Sequence, residues 1–341
     1  MGGAVGKAVV EVDGTGVSFE CGPDEALLDA ALAAGVALPH QCRGASCGTC
    51  KCEVLEGAVE HGWALGFAIE DEEKAAGRCL ACQAMPRSAR LRIRPLQPVP
   101  TGAAVPRELG ATVLAVRAET PRVRGVVLAP EPGHRLDARP GAYVELVLPG
   151  VSPNRHYSVV DATRDDGLVE LWIALHPGGA ASAYVHDRLR AGDRVALRGP
   201  LGAFALPEGD GEVVALAGGT GLAPVHAVLS AALDAGFPHD ATLLLSVRDH
   251  DEILALERLE ALARRHRNFR YEIACTDGPS PLAKHRDMLH RVLPARFGSL
   301  SGTRVLAAGA PGFVDNCVAA ARALGARPAD VATDTFTPAA A

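Results

Sequence analysis

Apolar and polar positions change their rhythm three times along this chain. Lys7–Glu11 and Val17–Cys21 alternate with the period of half-buried strands. Leu27, Leu28, Ala31 and Leu32 then recur at helical spacing. With Pro23 in the first turn, Asp24 and Glu25 at the positive end and Gly35 as a stop, they predict a helix over Pro23–Ala34. Cys52–Leu55 and Leu91–Arg94 complete this segment as strands.

The stretch from Pro95 to Pro106 holds too many prolines for regular structure and reads as a semi-rigid linker. Beyond it the apolar runs are short and split by Gly and Pro: Thr112–Arg117, Arg124–Leu128, Ala142–Leu148, Arg155–Val160, Leu168–Leu175 and Arg194–Leu197. Regular short strands predict an antiparallel barrel, interrupted by one helix over Ala180–Leu189. From Gly211 strands and helices alternate: strands Val213–Ala217, Thr242–Val247, Phe269–Cys275 and Arg304–Ala307, helices Pro224–Ala235, Glu252–His266 and Val314–Leu324. That order predicts a doubly wound parallel α/β sheet. The expected organisation of the 341 residues is therefore 1–95, a linker over 96–107, a barrel over 108–208 and an α/β domain over 209–341.

Composition narrows the function. A net charge of −6 gives no basic footprint for nucleic acid. No apolar run approaches membrane-spanning length. The first residues lack the charged-then-apolar order of a signal peptide. Nine cysteines, an odd count, and no secretory signal point to reduced thiols and a cytoplasmic protein.

Three of those cysteines, Cys42, Cys47 and Cys50, are spaced C-x4-C-x2-C, the plant-type [2Fe–2S] ligand pattern. Two sulfide-bridged irons need four soft anionic ligands, and thiolates supply both properties. Gly44, Ala45, Ser46, Gly48 and Thr49 are small enough for the backbone to approach the inorganic sulfides. Buried thiols or a zinc site are the competing readings, although zinc loops favour paired C-x2-C knuckles. A fourth ligand is available in Leu80-Ala81-Cys82-Gln83, with Cys79 three residues earlier.

Arg155-His156-Tyr157-Ser158 lies on an expected barrel strand. Any surface strand can carry such a tetrapeptide, yet its chemistry also suits a flavin: Arg155 for the pyrophosphate, Tyr157 against the ring, Ser158 toward ring N5. His176-Pro-Gly178-Gly179-Ala180-Ala-Ser182 leads into a helix, whose first N–H groups form a pyrophosphate site that glycines let a ligand approach. Gly218-Gly219-Thr220-Gly221 joins a strand to a helix. It is not the G-x-G-x-x-G fingerprint, but a Gly-rich turn at the carboxyl edge of a parallel sheet is where a dinucleotide phosphate belongs.

Taken in this order, the motifs resemble the iron–sulfur flavoprotein reductases of multicomponent bacterial oxygenases over essentially the whole chain. The resemblance rests on Cys42, Cys47, Cys50 and Cys82, on Arg155, Tyr157 and Ser158, on Gly178, Gly179 and Ser182, on Gly192-Asp193 and Gly199-Pro-Leu-Gly202, and on Gly218–Gly221. It implies a β-grasp [2Fe–2S] ferredoxin domain, a six-stranded Greek-key FAD barrel and a parallel α/β NAD(P) domain. It also implies transfer from NADH or NADPH through FAD and the cluster to a terminal oxygenase or an intermediary ferredoxin. The string Cys-Gly-Thr-Cys-Lys-Cys-Glu-Val-Leu-Glu-Gly and the end of the chain look like reductases of aromatic-ring dioxygenases of the naphthalene or terephthalate type. A reductase serving a deoxysugar dehydrase, or a non-enzymatic redox sensor or carrier, remains the alternative.

Within the resemblance, Cys82 rather than Cys79 matches the fourth ligand, and Phe336 matches a C-terminal aromatic near the flavin. Ala308-Gly309-Ala-Pro-Gly-Phe-Val314 stands where the family usually has Cys-Gly-Pro-Pro-x-Met-Val, so Ala308 replaces a cysteine beside the nicotinamide. Arg248, just past the second strand of the sheet, would meet a 2′-phosphate or lie on the adenine ribose. Cys21, Cys52, Cys275 and Cys317 read as structural thiols, and Trp63 and Trp172 as packing residues.

Overall fold

The structure, a computed structural model, describes residues 6–40, 45, 48–62, 68–97 and 106–336. Two compact units divide the chain between Pro106 and Arg107, the second ending at Phe336. Cys42, Cys47, Trp63 and most of the expected linker lie outside the described residues.

The first unit is a five-stranded sheet in the order 17–21, 8–12, 90–95, 51–56, 78–80. Strands 8–12 and 90–95 run parallel, and the other pairs are antiparallel. Ala8, Val10 and Val12 alternate inward onto a core completed by Leu27, Leu28, Cys52, Cys79 and Ile93. One helix lies against this sheet, as the β-grasp expectation requires. It is shorter than its periodicity suggested, Leu27–Ala33 rather than Pro23–Ala34. Its opening is docked instead of extended: the Leu27 and Leu28 N–H groups donate to Ala84 O (2.9 Å) and Ala81 O (2.8 Å). Gly35, at φ +76°, ends it as expected. The five-residue helix Asp71–Ala75 buries none of its residues and has no apolar period to announce it; Glu70 and Glu73 cap it reciprocally.

The second unit begins with six antiparallel strands in the order 155–158, 143–147, 194–201, 107–120, 123–130, 169–174. A bridge between Val159 and Leu171 links the two outer strands and closes the barrel. In chain order the strands run fourth, third, sixth, first, second, fifth, a Greek-key path. Leu128, Leu146, Leu171, Ile173 and Leu197 fill the interior with Val185 and Leu189 from the segment around helix Ala180–Asp187.

The parallel sheet follows, ordered 269–275, 241–247, 213–218, 304–309, 331–335. Helices Leu222–Asp234 and Leu256–Arg265 pack on one face; Leu289–Arg296 and Pro311–Ala323 pack on the other. This is the doubly wound fold. Strand Val331–Thr335 and helix Leu289–Arg296 carry no clear apolar rhythm and were not legible in the sequence. The helix expected over Glu252–His266 begins only at Leu256. Asp249 caps a tight turn over His250–Glu252, and Ala255 at φ +54° separates that turn from the helix.

Barrel and sheet share one apolar cluster. Val123, Val160, Trp172 and Phe204 join Leu222, Val225, Leu243, Leu259 and Leu306. Beside it Glu170, only 2 % exposed, accepts two hydrogen bonds from Arg258 Nη2 (2.6 and 2.8 Å). The guanidinium also lies 5.5 Å from the centre of the Trp172 ring. Arg258→Ala is expected to cost about 2 kcal/mol in urea unfolding, near the low side for breaking a buried pair, because Arg164 remains 3.7 Å from Glu170. A change below a few tenths would show that the pair adds nothing to the junction.

Candidate functional site

Cys50 and Cys82 meet through the backbone. The Ala81 N–H donates to Cys50 O (2.9 Å), so the end of the cysteine loop and the 81–83 turn are adjoining. Both thiols are buried. Ala45 and Gly48 both have positive φ, +55° and +72°. Cys79 sits one strand layer away, opposite Cys52 in register. Burial pushes the Cys79 thiol up to about 12 and raises that of Cys52 as well. Cys50 and Cys82, joined through the Ala81 N–H, are the described thiols that could hold an iron–sulfur group. Cys42 and Cys47 lie outside the described residues.

In the barrel, strand Arg155–Ser158 pairs with 143–147 so that Ser158 stands opposite Tyr143 and Arg155 opposite Leu146. Tyr157 packs against the barrel core, and burial pushes its hydroxyl up to about 12, so it stays a neutral phenol. His156 is exposed on the other face and lies 5.0 Å from the Tyr143 ring. Arg155 donates to Pro153 O (2.7 Å) and Asn154 O (3.0 Å). Among the described residues no carboxylate pairs with it, so its charge is available to an anion.

The 176–182 turn is built by Ser182. Its Oγ accepts the His176 N–H (3.1 Å) and donates to Gly179 O (3.0 Å). A Cβ on Gly179 would stand 2.8 Å from that oxygen, whereas one on Gly178, at φ +73°, would meet nothing within 4 Å. Gly179 is thus fixed by packing, and Gly178 leaves open space before the exposed Ala180 at the helix start. A pyrophosphate fits this cradle.

The glycines at 218–221 divide in the same way. A Cβ on Gly221 would collide with Ala308 O, and one on Gly218 would press on the Phe313 ring at 3.1 Å. Gly219, at φ +53°, faces open space, and Thr220 is half-buried beside it. Ala308 is fully buried in the shared cluster, and Gly309 ends its strand at φ +150°.

Tertiary structure brings the barrel motif and the sheet edge together. Ser158 Oγ donates a long hydrogen bond (3.5 Å) to Asp334 Oδ2, a buried carboxylate on the last strand. Two residues on, the Phe336 N–H donates to Gly309 O (2.8 Å). Ser158, Asp334, Phe336, Gly309 and the glycine turn therefore share one region. Nothing local marks a lone Asp as the partner of a serine 176 residues away. Arg248 stands apart at the end of strand 241–247, paired with Glu252.

Three family models match the chain: the 2Fe-2S iron-sulfur cluster binding domain over residues 10–87, the oxidoreductase FAD-binding domain over 119–206 and the oxidoreductase NAD-binding domain over 215–319. The reductase subunit of the aromatic O-demethylase of an Amycolatopsis species is 38% identical over 278 residues, 78% of this chain and 80% of that one. The toluate 1,2-dioxygenase electron transfer component of Pseudomonas putida is 30% identical over 328 residues, 95% and 96% of the two chains. The crystal structure of an Amycolatopsis cytochrome P450 reductase superposes with a TM-score of 0.83 at 34% identity, covering 98% of this chain and 100% of that one.

Two outcomes are expected. Cys82→Ser abolishes the [2Fe–2S] signal in electron paramagnetic resonance while Cys79→Ser retains it; the reverse pattern would exchange their roles. Ser158→Ala slows flavin reduction in stopped-flow mixing by about tenfold to a hundredfold, the worth of one hydrogen bond of roughly 1–3 kcal/mol, with FAD content unchanged. An unaltered rate would remove Ser158 from the chemistry.

Proposed function

The chain belongs to the iron–sulfur flavoprotein reductases of oxygenase systems, NAD(P)H-dependent oxidoreductases with a [2Fe–2S], an FAD-binding and an NAD-binding domain, and from that premise we propose how its residues divide the work and which partner it serves. When bound, FAD accepts hydride equivalents from a nicotinamide and releases electrons singly, which is the conversion a one-electron cluster requires.

The observation that carries the assignment is the convergence of Ser158 with Asp334 and of Phe336 with Gly309. Arg155 and the first N–H groups of helix Ala180–Asp187 hold the flavin pyrophosphate, with Gly178 and Gly179 allowing close approach. His176 and Ser182 shape that turn. Tyr157, neutral and fixed by the barrel core, supplies an apolar wall for the ring. The Ser158 hydroxyl has one proton and two lone pairs. Turned to Asp334 it presents lone pairs to ring N5; turned away it presents its proton. The 3.5 Å separation holds the oxygen in place without locking that rotation. Gly218–Gly221 receive the nicotinamide dinucleotide phosphates. Phe336 shields the ring from water and oxygen, and the buried Ala308 and Gly309 support the nicotinamide subsite from beneath. Cys42, Cys47, Cys50 and Cys82 ligate the cluster.

The electrons go to the terminal oxygenase of an aromatic-compound system or to its ferredoxin. The cysteine-loop string supports a ring-hydroxylating dioxygenase of the naphthalene or terephthalate type. The likeness to an O-demethylase reductase subunit and to a cytochrome P450 reductase supports a P450 partner equally directly.

The purified chain, carrying FAD and iron, is expected to reduce cytochrome c at the expense of NADH or NADPH. Cys82→Ser is expected to lose at least about tenfold of that rate while ferricyanide reduction, which the flavin can serve alone, persists. Substrate-dependent NADH oxidation on addition of an aromatic O-demethylating P450, but not of a ring-hydroxylating dioxygenase, would choose the P450 partner. The opposite pattern would choose the dioxygenase, and loss of both reductions in Cys82→Ser would refute a separate flavin stage.

A further inference from the structure

We infer that Glu252 sets the dinucleotide preference of this chain: by holding Arg248 it closes the adenosine end of the site to a 2′-phosphate and leaves it open to NADH. The inference rests on the proposed dinucleotide site at Gly218–Gly221 and goes one step further along it.

In a doubly wound sheet the phosphates sit at the turn after the first strand, and the adenosine ribose sits past the carboxyl end of the next strand over. Here the neighbour of 213–218 on that side is 241–247. At this position an acidic side chain favours the free ribose hydroxyl, and an arginine favours its phosphate ester. This chain supplies both, four residues apart. Their mutual geometry therefore decides between them.

Arg248 Nε donates to Glu252 Oε2 (3.1 Å), and Nη2 donates to Glu252 Oε1. Nε and Nη2 form one bidentate edge of the guanidinium, and that edge faces the Glu252 carboxylate, which a phosphate approaching it would have to replace. The loop is fixed around this pair. The Asp277 N–H donates to Arg248 O (2.7 Å), and Asp249 Oδ1 accepts the Asp251 N–H (3.1 Å), forming the turn that presents Glu252. Glu252 is more enclosed than its partner, with 19% of its side chain exposed against 49% for Arg248, and Arg122 lies 3.8 Å from it.

The remaining charges point the same way. Glu252 first, then Asp249 and Asp277, hold the Arg248 guanidinium above its ordinary range. Three carboxylates, Glu252, Asp249 and Asp277, act on the Arg248 charge. A 2′-phosphate, at about −1.5 to −2, would meet these carboxylates and would compete with Glu252 for the paired edge of Arg248. Ribose hydroxyls carry no charge, and the unused lone pairs of Glu252 can accept from them.

Calorimetric titration of the holoprotein with 5′-AMP and 2′,5′-ADP tests this directly, because neither probe reacts. The wild type is expected to bind 5′-AMP more tightly than 2′,5′-ADP by about tenfold or more. Glu252→Gln is expected to shift that ratio toward 2′,5′-ADP by about tenfold, and Glu252→Gln combined with Arg248→Met to cancel the shift. Flavin reduction by NADH and NADPH should follow the same order. A wild type that prefers 2′,5′-ADP, or a ratio that stays within about twofold in Glu252→Gln, overturns the inference while leaving the site intact. A wild type that binds neither probe overturns the site reading itself, and the inference with it.

Discussion

The barrel and the parallel sheet are built around a common apolar core, and that constraint places the chemistry. Val160 and Trp172 from adjacent barrel strands enter the same cluster as Leu222, Leu259 and Leu306 of the sheet domain. Separating the two modules would return this surface to water, the largest favourable contribution to folding. It would also strand Glu170, which is buried and depends on Arg258 from the sheet side. Ser158 is two residues from Val160. Once Val160 is held in the junction, strand Arg155–Ser158 lies beside the carboxyl edge of the sheet.

That edge is where a parallel sheet accepts ligands. The last strand adds what the other four lack, since Asp334 reaches Ser158 and the Phe336 N–H reaches Gly309 O. Glycines then serve two distinct ends. Gly179 and Gly221 are required because a neighbour occupies the space of a side chain; Gly178 and Gly219 lie open, where a phosphate can approach the backbone. Phe313, pressed between Gly218 and Gly309, gives this turn a rigid wall.

In the first unit the same economy separates ligands from core. Antiparallel pairing sets Cys52 opposite Cys79 inside the sheet, while the hydrogen bond from Ala81 to Cys50 sets Cys82 beside the loop. A spacing of three residues is enough to move a cysteine from the sheet to the turn beside the loop that ends at Cys50. The docking of helix Leu27–Ala33 on Ala81 and Ala84 holds that turn.

Local information determined a great deal here. The C-x4-C-x2-C loop, the glycine turns and the change from short strands to strand–helix alternation are contiguous signals, and each is enforced by covalent spacing or by backbone sterics. They were sufficient for the domain classes, the three cofactors and most strands. The elements that escaped, strand Val331–Thr335 and helix Leu289–Arg296, have mixed burial and no dominant period, so only their neighbours stabilise them. Pairings between distant charges were equally invisible: Glu170 with Arg258, Ser158 with Asp334. Arg248 was legible as a residue at the ribose but not as a residue already engaged. Which carboxylate a guanidinium meets depends on how a loop folds back, and that is decided by the packing of the whole sheet rather than by any stretch of sequence.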